Sequence, residues 1–337
     1  MIKMRTNSGV ANAADEKGAL LSRLVKSNLS SVSLFLIILV VLLSLATSNF
    51  ATPFNVEVIL GTFSITAVVG LSQMVIIATG GMNLAVGSIG GLSAILAGGA
   101  MASYGMGTFP SVVIGLLTGV ICGLISGILI VRLGSSSAAA FLVTLAMSSA
   151  YRGISFGLTK AQPFYNLAES FKALGTGRFF GLPLIFYMMI GITLLLWVLF
   201  TYLGTGRQML AFGSNPKAAQ LYGVSAAKTL IIAHMLSGLL ASCAGLMLMA
   251  RLGSAQNDIG IDWMMFSFAA PIIGGARQAG GKVSVFGAVL GALVLATIQN
   301  GLVHLNIDVY WMKLIEGSII LLAVTVDLIR TTRDKSA

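Results

Sequence analysis

Long apolar stretches alternate with short polar or charged segments along most of the chain. Positions 58 to 131, between Glu57 and Arg132, hold no Lys, Arg, Asp or Glu. At about 20 residues per bilayer crossing, this stretch has room for three transmembrane helices with turns between them. The whole pattern predicts an all-α, polytopic membrane protein with about ten transmembrane helices. The predicted spans are 31–50, 56–79, 84–103, 111–131, 138–158, 183–203, 228–250, 262–275, 284–305 and 311–329.

Two of these spans are unusual. The eighth, 262–275, is short for a full crossing, which favours a tilted or partly re-entrant helix. The first, 31–50, is longer than the apolar core of a signal peptide and follows a long leader, so it is interpreted as a retained span. The predicted organisation is an N-terminal tail at 1–30, one transmembrane domain at 31–329 and a C-terminal tail at 330–337.

Composition and charge agree with a membrane protein. Hydrophobic residues make up 57% of the 337 residues and charged residues only 9%, against about 25% charged in an average soluble domain. The net charge of +10 is spread between the apolar spans, which indicates membrane topology rather than a nucleic-acid partner. Fourteen of the 20 Lys and Arg fall in the tails and even-numbered loops. The positive-inside rule therefore predicts that both termini are cytoplasmic.

Two predicted loops are long. Loop 159–182, on the predicted periplasmic side, contains NLAESFKALG, which favours a short surface helix. In loop 204–227, on the predicted cytoplasmic side, Asn215 and Pro216 suit the N-cap and first position of a helix that continues through KAAQLY to Gly223. Two interpretations of this second helix stay open, a solvated connector or a docking helix for a partner subunit.

The segment GGARQAGGKVS, at 274–284, looks at first like a phosphate-binding loop. Such a loop needs Gly, four residues and then Gly-Lys-Ser or Gly-Lys-Thr. Here Ala276 occupies the position of the first glycine, Val283 replaces the hydroxyl residue, and the preceding segment is an apolar helix rather than a strand. We therefore predict a chain without its own nucleotide-binding site, and not an enzyme. The glycines are interpreted as a tight turn where backbone packs against backbone.

A second glycine cluster, GGMNLAVGSIGG, lies at 80–91. In both clusters a Gly-Gly pair is followed by another glycine six residues later. Because both clusters fall on the predicted cytoplasmic side, this similarity does not establish an inverted repeat. The predicted turn glycines are Gly80, Gly81, Gly87, Gly274, Gly275, Gly280 and Gly281.

Polar residues near the second cluster are candidates for a solute path. Asn83 and Ser88 lie at a break in an apolar region, where they either line a path or cap the broken helix ends. The pathway candidates are Asn83, Ser88, Ser64 and Gln73. The spans carry no chain of Asp, Glu or His that would relay protons, which disfavours a self-powered proton-coupled carrier.

The remaining features are interpreted as structural. Lys313 and Glu316 lie three residues apart on one helix face and are predicted to form an ion pair. The two cysteines lie in apolar stretches and the two histidines are far apart, so neither a disulfide nor a metal site is predicted. A stripe of glycines on the fourth span predicts close packing of a neighbouring helix. It comprises Gly115, Gly119, Gly123 and Gly127.

Several stretches together resemble one family. GGMNLAVGSIGGLSAILAG is similar to the Gly-Gly-Ile-Asp-Leu-Ser-Val-Gly-Ser signature of ribose-type (monosaccharide) ABC importer permeases. FLVTLAMSSAYRGISFGLTK, GRQMLAFGSNPKAAQLYGV and EGSIILLAVTVDLI are similar to later blocks of that family in the same order, so the resemblance runs from about residue 50 to the C-terminus. Asn83 and Ala85 stand where the family has Asp and Ser, and Ala276, Arg277 and Gln278 replace small and hydroxyl residues.

The resemblance implies a permease of the bacterial inner membrane that belongs to a binding-protein-dependent ABC importer and carries a monosaccharide or similar small polyol by alternating access. The implied partners are ABC ATPase subunits that use ATP, a second permease copy or paralogue in a dimer, a periplasmic sugar-binding protein and membrane lipid. No cofactor is implied for this chain. The residues that match the ATPase-coupling segment are Asn215, Pro216, Ala218, Ala219 and Gly223. The alternatives are an ABC importer of branched-chain amino acids or nucleosides, and a secondary carrier or channel.

Overall fold

The computed structural model describes residues 28–308, 310–318, 321, 322 and 325. Three predicted parts lie wholly or partly outside the described residues. They are the N-terminal tail up to residue 27, the C-terminal tail and part of the tenth span. The helices are α1 (Asn28–Ala46), α2 (Pro53–Ala78), α3 (Val86–Ala102), α4 (Thr108–Arg132), α5 (Ser137–Thr159), α6 (Glu169–Thr176), α7 (Leu184–Thr201), α8 (Gly204–Ser214), α9 (Pro216–Leu221), α10 (Ala226–Leu252), α11 (Trp263–Ile273) and α12 (Val285–His304). Strands β1 (Arg178–Phe179) and β2 (Leu182–Pro183) form an antiparallel hairpin, and residues 310–318 are helical.

The all-α, polytopic class is confirmed, but the count of ten spans is not. Among the described residues, seven helices are long and apolar enough to cross a bilayer, namely α1, α2, α4, α5, α7, α10 and α12. Helix α3 has 17 residues and α11 only 11. At a rise of 1.5 Å per residue, α11 extends roughly 17 Å, about half the thickness of a bilayer core. The expectation of a short eighth span is thus confirmed.

Side-chain caps explain where several helices begin. Thr52 caps α2 by accepting a hydrogen bond from the backbone N–H of Asn55, and Pro53 occupies the first turn. Asn215 accepts from Ala218 at the start of α9. Each cap satisfies one of the N–H groups that the first turn leaves without a partner. The sequence therefore sets these boundaries locally.

Two helix–break–helix units run in opposite directions. In the first, α2 is followed by the break 79–85, then α3 and α4. In the second, α10 is followed by the break 253–262, then α11 and α12. Helices α2 and α10 are antiparallel, because Ser72 contacts Ser237 while Thr62 contacts Arg251. In each unit the third helix packs on the long helix of the other unit, α4 on α10 and α12 on α2.

This arrangement is an inverted repeat. The sequence did not establish it, because the similarity of the two glycine clusters pairs 80–87 with 274–281. The structure instead pairs the break 79–85 with the break 253–262, and the second glycine cluster lies after α11. Glycine spacing alone therefore does not identify which segments of the two units correspond.

Glycines allow the helix backbones to approach one another closely. The predicted stripe on α4 lies against α10, where a Cβ at Gly119 would overlap the backbone of Gly238 and a Cβ at Gly123 would overlap that of His234. A Cβ at Gly127 would lie 2.9 Å from the Cα of Ile231. The packing role predicted for this stripe is therefore confirmed.

The bundle has two ends, which we name by a residue at each. The Arg251 end carries α6 and the β-hairpin, and there Arg178 forms a 2.8 Å ion pair with Glu57. The Gly213 end carries α8, α9 and the turn at 274–284. The predicted surface helix in loop 159–182 is confirmed as α6 at the Arg251 end.

Candidate functional site

The first helix break is held by a small network of polar side chains. Gly80 starts the break with φ of +75°, a conformation that favours glycine. The amide of Asn83 donates from Nδ2 to Ser237 Oγ at 3.0 Å and accepts from the backbone N–H of Ala85 at 3.0 Å. Ser72 donates to the Ser237 carbonyl at 2.9 Å. The network therefore connects α2, the break and α10.

Gln73 completes this network from α2. With its amide oriented so that both groups are satisfied, Gln73 donates to the Asn83 carbonyl at 3.0 Å and accepts from the Asn83 N–H at 3.2 Å. A peptide group in a helix break has no helical partners, and burying it unpaired costs about 1–3 kcal/mol. Gln73 thus replaces the missing backbone partners.

The four predicted pathway residues are all buried in this conformation. Asn83 is 1% exposed and Ser88 is 4% exposed. Ser88 donates to the Ala85 carbonyl at 3.0 Å, and Ser64 donates to the Leu60 carbonyl of its own helix at 2.6 Å. Asn83 and Ser88 thus bond to the backbone beside the break, but the N-cap of α3 is Ala85 and no side chain caps its first turn. Contact with a solute in another conformation stays a prediction.

The second break, 253–262, lies along α3. Gly253 and Gly260 have positive φ values of +67° and +86°. A Cβ at Gly87 would overlap the Gly260 carbonyl, so two backbones meet there without side chains. Sequence reasoning treated this segment as an ordinary loop. The signal that could have indicated a break is the spacing of Gly253 and Gly260, which are seven residues apart, as are Gly80 and Gly87 at the first break.

At the Gly213 end, two glycine turns and the end of helix α8 meet in what we call the glycine junction, formed by Gly80, Gly213, Gly280 and Gly281. The N–H of Gly281 donates to the Ala78 carbonyl at 3.2 Å. A Cβ at Gly213 would overlap that carbonyl, and a Cβ at Gly280 would lie 2.7 Å from the Cα of Gly80. The junction therefore brings the end of α2, the end of α8 and the turn 274–284 into backbone contact.

The other predicted turn glycines have similar surroundings. Gly274 packs against the backbone of Gly287, while Gly275 has φ of +86°. Gly81 has less restricted space, since a Cβ there would lie 3.2 Å from a side-chain methyl of Ile76. The interpretation of GGARQAGGKVS as a tight turn agrees with this geometry.

The predicted helix at 215–223 forms as α9, directly after the junction. Asn215 and Pro216 occupy the N-cap and first position as predicted, and Ala219 is buried. Ala218 supplies the capped N–H, and Gly223 ends the segment with φ of +83°. The side chains of Leu221 and Tyr222 are 89% and 91% exposed at its tip.

A pocket of about 280 Å³ lies nearer the Arg251 end, between α2, α10, α11 and α12. Its polar lining residues are Thr62, Thr66, Arg251, Asp262 and Gln299. Its apolar lining residues are Ile65, Val69, Leu248, Trp263 and Phe266. The pocket shares no residue with the predicted pathway set.

Arg251 dominates the polar side of this pocket. Its guanidinium donates to Thr62 Oγ1 at 3.0 Å and to the Val58 carbonyl at 3.3 Å. Gly61 leaves room for it, because a Cβ at Gly61 would lie 2.8 Å from Arg251 Cζ. Sequence reasoning counted Arg251 only as a topology charge and missed this role.

The predicted ion pair between Lys313 and Glu316 does not form. Lys313 instead contacts Asp262 at 2.7 Å. Glu316 accepts a hydrogen bond from Gln299 Nε2 at 3.1 Å. The prediction failed because spacing within one helix does not reveal partners on neighbouring elements, here Asp262 and Gln299.

Within the described residues, no group of three or more His, Cys, Asp or Glu side chains could hold a metal ion.

Comparison with known proteins decides the family. The profile of the family described as branched-chain amino acid transport system / permease component matches residues 55–324. The chain belongs to this family. Members are permease components, that is, transport subunits rather than catalytic chains, and the chain is a multi-pass permease of the bacterial inner membrane.

Three individual relatives show which kind of permease the chain is similar to. The permease is 34% identical over 304 residues to the ribose import permease protein RbsC of Bacillus subtilis, covering 90% of this chain and 92% of the relative. It is 32% identical over 296 residues to RbsC of Escherichia coli, with 87% and 91% covered. The D-allose transport system permease protein AlsC of Escherichia coli is 30% identical over 291 residues, with 86% and 88% covered. The resemblance to sugar importer permeases is confirmed.

No solved structure matches the chain.

Proposed function

We propose that this permease is the membrane-spanning subunit of a binding-protein-dependent ABC importer that moves a monosaccharide or similar small polyol. The observation that carries the proposal is the near full-length similarity to permeases named for ribose and allose. The family description names branched-chain amino acids, but the three relatives described above, which match most of the chain, are named for sugars. A sugar is therefore favoured over an amino acid or nucleoside.

The proposed orientation places the Gly213 end in the cytoplasm, with both termini. The positive-inside rule supports this orientation, because 14 of the 20 Lys and Arg fall in the tails and in the loops predicted on the same side as the tails. Partner ATPases, which bind and hydrolyse ATP, would then dock on α9. The exposed Leu221 and Tyr222 offer them an apolar and aromatic contact, the composition enriched in the core of protein interfaces.

The glycine junction provides a route from the docking helix to the first break. Gly213 and Ser214, at the end of α8, lie against Gly281, and Gly281 is hydrogen-bonded to Ala78 at the end of α2. Backbone contacts without intervening side chains leave little room for independent movement. A displacement of α9 would therefore shift the break at Gly80 and the network around Asn83.

Exposed apolar side chains favour two further partners. Leu142 and Leu195 are 64% and 73% exposed on α5 and α7. In an ordinary soluble protein, large exposed apolar areas mark interaction surfaces. In this permease we assign them to membrane lipid and to a second permease copy or paralogue, which together would form the dimer.

Alternating access follows from two states that partner binding populates differently. In the proposed cycle, ATP binding to the partner ATPases changes the contact on α9 and thereby the relative stability of the two states. A periplasmic binding protein delivers the sugar at the Arg251 end. This chain supplies the passage and no cofactor.

Reconstitution tests the proposal. The permease is placed in proteoliposomes with the ATPase subunits and the sugar-binding protein from the same genome, and uptake of labelled D-ribose, D-allose and D-galactose is measured. We expect ATP-dependent uptake of at least one of these sugars only when all components are present. Uptake by the permease alone, without ATP, would contradict the importer and favour a secondary carrier or channel.

A further inference from the structure

We propose that the pocket formed by Thr62, Thr66, Arg251, Asp262, Gln299 and Trp263 is a binding site for a single neutral polyol ring. This inference rests on the proposed sugar transport and adds the residues that contact the solute within one protomer. They differ from the buried side chains around the first helix break.

Several hydrogen-bonding groups that line this pocket have no partner among the described residues and can bind a ligand. The guanidinium of Arg251 carries five N–H groups, and two take part in the bonds to α2 described above. Gln299 donates through Nε2, and its Oε1 accepts no hydrogen bond from the described residues. Thr66 donates to the Thr62 carbonyl and keeps its oxygen lone pairs. A hydroxyl both donates and accepts, so a polyol matches this mixed set.

The charges around the pocket favour a neutral ligand. Asp262 is paired with Lys313 at 2.7 Å, and Glu316 accepts a hydrogen bond from Gln299. Glu57 interacts electrostatically with Arg251 and is itself paired with Arg178 at 2.8 Å. Among the described residues, three positive and three negative side chains around the pocket therefore balance. An amino-acid zwitterion would have to displace Lys313 from Asp262, whereas a sugar needs no charge partner.

Size and shape agree with one sugar ring. The volume of about 280 Å³ lies just below the range of roughly 300–1,000 Å³ typical of pockets for drug-sized ligands. Trp263 and Phe266 give flat apolar surfaces for the C–H face of a ring, while the polar groups meet its hydroxyls. The buried Val69 closes the pocket away from the Arg251 end.

Two glycines on different helices make room for the two largest side chains of the site. A Cβ at Gly61 would lie 2.8 Å from Arg251 Cζ, and a Cβ at Gly90 would lie 2.6 Å from Trp263 Cζ3. The guanidinium of Arg251 therefore packs against the backbone of α2, and the indole of Trp263 packs against the backbone of α3.

Fluorescence of Trp263 tests the site directly. The permease is purified with tryptophan-free variants of its ATPase partners in lipid nanodiscs, without the binding protein. Trp197→Phe and Trp311→Phe leave Trp263 as the single tryptophan of the permease. D-ribose, D-galactose and L-leucine are titrated separately. We expect a saturable change in emission with a sugar and none with L-leucine.

Two variants and a matched control give the test its specificity. Thr66→Val and Gln299→Leu each remove one ligand contact, and we expect the apparent Kd for the sugar to rise about threefold to tenfold. Thr118→Val is the control, because Thr118 likewise donates to the carbonyl four residues earlier in its helix but lies on α4 away from the pocket. The Kd of this control should stay unchanged.

Three outcomes would overturn the site: no emission change with either sugar, a change with L-leucine alone, or a sugar Kd that both pocket variants leave unchanged. Uptake by the complete complex in proteoliposomes separates this failure from that of the proposed function. If sugar uptake persists, only the assignment of the site is wrong. If no sugar is taken up by the complete complex, the proposed function fails as well.

Discussion

Asn83 shows how one side chain stabilises an interruption in a buried helix. Its amide bridges the break and α10, while its backbone is paired with Gln73. We expect Asn83→Leu to lower the free energy of unfolding by about 1–3 kcal/mol, because the buried Ala85 N–H loses its partner and Ser237 keeps only its contact with Ser72. Thermal unfolding in detergent, followed by circular dichroism, measures the change.

The control for this variant is Asn166→Leu, since Asn166 is exposed. Exposed substitutions usually change stability by less than about 0.5 kcal/mol. Equal midpoints for the two variants would show that the Asn83 amide does not hold the break.

At the same scale, sequence reasoning reached some side chains and missed others. Asn83 was found because a polar residue beside glycines in an apolar stretch is conspicuous. Arg251 and Asp262 were missed, since a charge at the end of a span has an adequate explanation in topology. Only the folded chain brings Arg251 beside Thr62, which is 189 positions away in sequence.

Among the elements, α8 is placed by a glycine that leaves no space for a side chain. We expect Gly213→Ala to lower the free energy of unfolding by about 1–3 kcal/mol, the usual cost of overpacking, because its Cβ would overlap the Ala78 carbonyl. In reconstituted complexes, the displaced α8 should also lower sugar uptake per ATP hydrolysed. Thermal unfolding and paired uptake and ATPase assays measure both effects.

Gly157→Ala is the matched control, because nothing lies within 4 Å of a Cβ at that position in α5. Alanine in an exposed helix position should stabilise by up to about 1 kcal/mol. Unchanged stability and unchanged uptake per ATP in Gly213→Ala would refute the coupling route through the glycine junction.

The long elements could be predicted from the sequence, whereas the breaks could be predicted only in part. Apolar stretches of sufficient length identify a span irrespective of its neighbours. The segment 253–262 contains polar and charged residues and therefore had the composition of a surface loop. It lies against α3 because glycines on both sides permit backbone contact, which is a tertiary property.

For the whole molecule, α9 is the element with which the permease would contact its motor subunits. We expect Tyr222→Glu to reduce co-purification of the ATPase subunits at least about tenfold, as an aromatic anchor at the centre of an interface typically contributes 2 kcal/mol or more. Pull-down from detergent extracts with quantitative staining measures the ratio of subunits.

Tyr104→Glu is the control on the opposite end of the bundle, where Tyr104 is 79% exposed. It should leave the subunit ratio unchanged. Loss of the ATPase subunits with Tyr104→Glu but not with Tyr222→Glu would reverse the proposed orientation of the permease.

The antiparallel course of the two helix–break–helix units has one more consequence. Whatever shape one unit adopts toward one face of the membrane, the other unit can adopt toward the opposite face. If the two units exchanged conformations, the same kinds of contact would form with the opposite orientation across the membrane. Each face of the membrane would then open through a different unit of the same chain, with the same order of helices and break around the opening.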